Sequence, residues 1–107
     1  NAFNEPVADS VVEEGYMRFF KKDRHWMHNL SEEELLVYVN EDLEEGQIRS
    51  LALLLLQDGK YSNITGEKRK NLFRKAKLLL NHASDRLGQF SFEDYGIISD
   101  IDNELLK

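Results

Sequence analysis

The sequence predicts an all-α domain, a compact bundle of about five helices containing antiparallel helical hairpins. Three observations predict it. Leucine occurs 16 times, against five valines, five isoleucines and one threonine. Straight-chain and γ-branched side chains lose little rotamer freedom in a helix, whereas β-branched ones favour strands. There is one proline, Pro6, and six glycines, too few turn formers for an antiparallel sheet. Finally, Ser31 precedes Glu34 by three residues, and Ser91 precedes Asp94 in the same way. That spacing is the capping box of a helix start.

The 107 residues suit one domain. Asn1 and Ala2 read as a protease-cleavage remnant, which leaves residues 3–107 as a single helical domain. A first helix is expected from about Val11 to Lys22, with Ser10 and Glu13 as a loose cap pair. Val12, Tyr16, Phe19, Phe20, Trp26, Met27 and Leu30 keep helical spacing beyond that point, so the helix could continue to His28. A continuous helix would, however, put Asp23 on its apolar face. The second helix starts at the Ser31 cap, stapled by Leu30 and Leu35, and runs from Glu32 to about Asn40.

The third helix spans Leu43 to Asp58, with Asp42 and Glu45 as its cap pair and Gly59 as its stop. Its run Leu51–Leu56 is apolar on every side, which marks either the central helix or one face of a dimer. The fourth runs from Gly66 to Leu87 behind Thr65 and ends at Gly88. Leu72, Phe73, Ala76, Leu79, Leu80, Ala83 and Leu87 make its stripe at spacings of three and four. The fifth, Phe92 to Leu106, starts at Ser91 with Phe90 and Tyr95 as staple. It offers Tyr95, Ile98, Ile101 and Leu105 to the core.

Composition excludes several chemistries. Cysteine is absent, so disulfides, cysteine-ligated zinc, iron–sulfur clusters and cysteine nucleophiles are excluded. No apolar run approaches the ~20 residues that span a bilayer, so no membrane partner is expected and the expected setting is cytoplasmic. The glycines are isolated, with no phosphate loop. A calcium loop starting at Asp58 fails because Lys60 and Arg69 stand where oxygen ligands belong. His25 and His28 are three apart, as on one helix face, but a metal needs a third ligand. They remain a rival site for a small ligand, a metal or acid–base chemistry. No catalytic residue, cofactor or metal is otherwise expected.

The net charge is −6, and it is unevenly spread. Residues 1–50 hold 12 acids and 5 bases, whereas residues 51–107 hold 8 and 9. Lys68, Arg69, Lys70, Arg74, Lys75 and Lys77 cluster on the fourth helix. Lys70, Arg74 and Lys77 then form a basic face, either solvated, paired with the acidic 31–45 segment, or docking a partner. The acidic whole argues against nucleic acid. Phe19, Phe20, Trp26 and Tyr38 form the candidate aromatic groove for a partner, because interface cores are rich in aromatics.

Gly59, Lys60 and Tyr61 precede the fourth helix, which carries Ala76, Leu80 and Ala83, and a new helix follows Gly88. In these features residues 47–106 resemble a hairpin of the tetratricopeptide type. The resemblance implies a scaffold that binds a peptide or protein, and carries over no catalytic residues. The family's period of about 34 residues is not repeated in the chain. The expected function is therefore a small helical interaction or regulatory domain without catalysis, whose partner is another protein or a second copy of itself.

Overall fold

The computed structural model describes residues 9–87 and 92–107. These form six helices: α1 (Asp9–Phe20), α2 (Arg24–Asn29), α3 (Glu32–Asp42), α4 (Glu45–Tyr61), α5 (Gly66–Leu87) and α6 (Phe92–Leu106). The all-α bundle is as the leucine-rich, turn-poor composition requires. The sixth helix comes from a break in the first. Lys21 takes a left-handed φ of 61° and ends α1. Asp23 then caps α2, its side chain accepting the Trp26 N–H at 2.6 Å. The residue that would have spoiled a continuous apolar face is the cap that restarts the chain.

The Ser31 capping box is present. Its hydroxyl accepts from the Glu34 N–H at 3.1 Å, and Glu34 accepts from the Ser31 N–H at 2.9 Å. The expected Asp42–Glu45 pair is not a cap. Asp42 still belongs to α3, and the N-cap of α4 is Glu44, whose N–H donates to the Gln47 side chain at 2.9 Å. Ser10 falls inside α1 rather than ahead of it. Ser91, Phe90 and Gly88 lie outside the described residues.

Gly59 does not stop α4, which continues to Tyr61. It is buried, and a Cβ there would lie 3.1 Å from the Phe73 ring. The missing side chain lets α4 and α5 approach closely at this point. These two helices form the largest contact of the molecule, with α1 against α4 and α6 against α5. The predicted stripe of α5, from Leu72 to Ala83, is buried. It meets Ile48, Leu51, Ala52 and Leu55 of α4. Truncating any one of these leucines removes about 2–5 kcal/mol of transfer and cavity energy. In α6 only Ile101 is fully buried among the expected stripe, and Tyr95 is exposed. No helix among the described residues is long and apolar enough to cross a membrane.

Candidate functional site

Two features stand out: a buried polar cluster around Asp58, and an apolar groove between α1 and α4. Asp58 sits one turn beyond Leu55, on the same buried face of α4, with no accessible surface. An ionised carboxylate there must be paired and hydrogen-bonded. Five bonds do this. Arg24 of α2 donates from Nη2 to Oδ1 at 2.7 Å and from Nε to Oδ2 at 3.3 Å. The Tyr16 hydroxyl of α1 donates to Oδ2 at 2.8 Å, and the Ser62 hydroxyl to Oδ1 at 2.8 Å. His28 Nε2 lies 2.6 Å from Oδ2. A carboxylate only accepts, so Nε2 carries the proton and Nδ1 is the ring nitrogen left over.

Burial alone would raise the Asp58 carboxyl. The bonds from His28, Arg24, Tyr16 and Ser62 outweigh it and hold the group well below the ordinary carboxylate range. Burial, with the Asp58 charge beside it, pushes the Tyr16 hydroxyl up. Burial opposes the Arg24 charge, but the Asp58 and Asp9 carboxylates reverse the balance. Asp9 adds a second ion pair to Arg24 at 3.0 Å, and also accepts the Asn63 N–H at 3.1 Å. Nearby, Lys75 is buried and donates to the Met27 and His28 carbonyls at 3.1 and 2.8 Å. No buried side-chain nitrogen or oxygen among the described residues lacks a partner.

The sequence offers little warning of this cluster. Asp58 is legible only as a carboxylate at the end of a leucine stripe, and Lys75 as one base among six. Both are buried because their partners come from distant helices.

The groove is a different kind of surface. Its volume is about 420 Å³. Phe19 and Phe20 of α1 line one side; Leu53, Leu54, Gln47, Ser50 and Gln57 of α4 line the other. None of these residues is charged, in a chain that is 32% charged. Phe19 is 62% exposed at its edge. The apolar run of α4 is thus not enclosed all round: Leu53 and Leu54 stay half-exposed in the groove. Gly15 brings α1 close at this point, where a Cβ would meet Leu54 at 3.2 Å.

The four expected partner-binding aromatics therefore divide. Phe19 and Phe20 line the groove. Trp26 and Tyr38 do not; they pack edge to face at 5.1 Å, with the Lys22 ammonium over the indole at 4.7 Å. The Tyr38 hydroxyl donates to the Phe20 carbonyl at 3.4 Å. The basic face of α5 divides as well. Lys77 pairs with Asp102 at 2.6 Å and Arg74 with Glu67 at 3.4 Å, whereas Lys70 makes no ion pair among the described residues. Among the described residues the bases of α5 pair mainly with acids of α6; toward the 31–45 segment Arg86 reaches Glu45 at 3.7 Å, and Lys75 feels the charges of Glu32 and Glu34 without a direct pair. Among the described residues, no three histidine, aspartate or glutamate side chains converge as a metal site. Searches of protein-family models, curated proteins and solved structures find no match to this chain.

Proposed function

We propose that this chain is a small helical protein-interaction domain whose docking surface is the groove between α1 and α4. The single observation that carries the reading is the charge-free lining of that groove beneath an exposed Phe19. Charge depletion with aromatic enrichment is what marks the core of an interface. The Asp58 cluster supports it from the other side. Its buried bonds tie α1, α2 and α4 together and so hold the walls of the groove in place. The sequence resemblance of residues 47–106 to a tetratricopeptide-type hairpin would imply a scaffold for a peptide or protein, and points the same way.

A second copy of the chain is the favoured occupant. A two-fold interface sets one patch against itself. For a chain of net charge −6, a charge-free patch avoids like-charge contact. Gln47, Ser50 and Gln57 each donate and accept, so the patch is self-complementary. Sedimentation velocity over a concentration series tests this. Concentration-dependent dimerisation is expected, and Phe19→Asp abolishes it with the melting temperature unchanged. A native chain that stays monomeric at high concentration removes the self-association reading. A binding partner from another protein that is indifferent to Phe19→Asp removes the groove.

A further inference from the structure

We propose a second, independent site: the cleft between α2 and α5 binds a small oxyanion of the phosphate type. The cleft is about 270 Å³ and is lined by His25, His28, Asn29, Lys68, Asn71 and Leu72. No carboxylate lines it, although the chain holds 20 acids to 14 bases. Its polar lining consists of an ammonium, two imidazoles and two amides.

The pairing of the basic residues makes this lining selective. In the second half of the chain, Lys60, Arg69, Arg74, Lys77, Arg86 and Lys107 each meet a carboxylate. Lys75 is buried and donates to the two carbonyls at the end of α2. Lys68 makes no hydrogen bond or ion pair among the described residues, and neither does the His25 ring. Of the three α5 lysines without an ion pair, Lys68, Lys70 and Lys75, it is Lys68 that lines the cleft. Asn71 gives its oxygen to Arg74 at 2.7 Å, which orients the amide and leaves its NH2 group as donor.

His28 is the fixed member. Asp58, itself clamped by Arg24, Tyr16 and Ser62, holds the Nε2–H at 2.6 Å. The ring orientation is thus set by buried chemistry, and its remaining nitrogen, Nδ1, is an acceptor that would take the P–OH of a hydrogen phosphate rather than a bare oxygen. Lys75 adds a positive charge behind the His28 carbonyl, at 2.8 Å. It also offsets the negative end of the α2 dipole, which would otherwise repel an anion. A bound oxyanion would gain the ammonium of Lys68, the Asn71 amide and an N–H of the His25 imidazole. Charge-assisted bonds of this kind are the strong ones.

The test is a titration of the whole chain with inorganic phosphate, followed by amide and imidazole chemical shifts, against sodium chloride at matched ionic strength. Saturable shifts at His25, His28, Lys68 and Asn71, absent with chloride, are expected. Lys68→Gln and His25→Gln should each weaken phosphate binding about tenfold, the loss of one charge-assisted contact. Both side chains lack partners among the described residues, so the melting temperatures of the variants should match the native chain. Three results would overturn the site: shifts equal to those with chloride, shifts centred elsewhere on α5, or an affinity indifferent to both substitutions. The groove reading stands or falls separately, because Phe19→Asp leaves this cleft intact.

Discussion

Asp58 is a single residue whose environment makes a quantitative demand. It is buried with five hydrogen bonds, and its carboxyl is held well below the ordinary range by partners that outweigh burial. A depressed carboxyl contributes stability that is present above its unfolded value and is lost as pH falls toward the folded one. The unfolded value is near 3.8. The stability of the fold should therefore fall steadily with acid from about pH 4 downward. Asp58→Asn keeps the shape but leaves Arg24 with only Asp9, and His28 without its acceptor. Removing one partner of a buried pair costs about 3–5 kcal/mol; Asp9 places this case near the lower end. Melting curves from pH 2 to 7 check both statements. The variant should melt about 10–20 °C lower at neutral pH, the scale expected for a domain of this size. Its acid limb should be flatter. An acid limb parallel to that of the native chain would show that other carboxylates govern acid unfolding.

Glycines test the packing of whole helices. A Cβ added at Gly96 in α6 would have nothing within 4 Å, whereas one at Gly59 in α4 would face Phe73 at 3.1 Å. Alanine gains about 0.5–1 kcal/mol over glycine within a helix, through backbone entropy. Gly96→Ala should thus stabilise by about that amount. At Gly59 the same gain meets an overpacking cost of about 1–3 kcal/mol, because Phe73 is itself buried in the α4–α5 interface. Gly59→Ala should destabilise by about 1 kcal/mol. Urea unfolding of both variants decides it; a stabilised Gly59→Ala would mean that the two helices have slack at this contact. The same pair shows what is legible at this scale. Helix existence is legible, because stripes such as Leu72–Ala83 and the Ser31 box are local patterns. The role of Gly59 is not: read alone it resembles a helix stop, and only the ring brought in by another helix shows it to be a packing position. The Asp58 cluster is hidden for the same reason, since Tyr16 and Arg24 are 42 and 34 residues from it. Within the groove, Phe19 and Phe20 can be found from sequence, but the α4 half is obscured because Leu53 and Leu54 read as core.

Across the whole molecule, charge decides how the last helix is held. Residues 51–107 are nearly neutral in sum, but the signs are separated between helices. Asp94 pairs with Arg49 at 2.8 Å, Glu104 with Arg69 at 3.2 Å, Asp102 with Lys77 at 2.6 Å, and Asp100 with Lys60 at 3.9 Å. Ile101 is the single fully buried apolar side chain of α6, with Ile97, Ile98 and Leu105 half-buried. Each pair is partly exposed and worth about 0.2–1 kcal/mol, so the four together supply about 1–4 kcal/mol. At 1 M salt the screening length is about 3 Å, and most of that attraction is lost. The apolar contacts between α4 and α5 carry no such dependence. Hydrogen exchange should therefore show the α6 amides accelerating about fivefold or more between low and 1 M sodium chloride. The amides of Leu51 to Leu55 should hold their protection. Replacing Asp102 and Glu104 by asparagine and glutamine should reproduce about half of the salt effect at low ionic strength and leave correspondingly less for added salt to remove. If α6 and α4 respond to salt in step, α6 opens only with the whole fold, and its apolar face rather than its acids holds it in place.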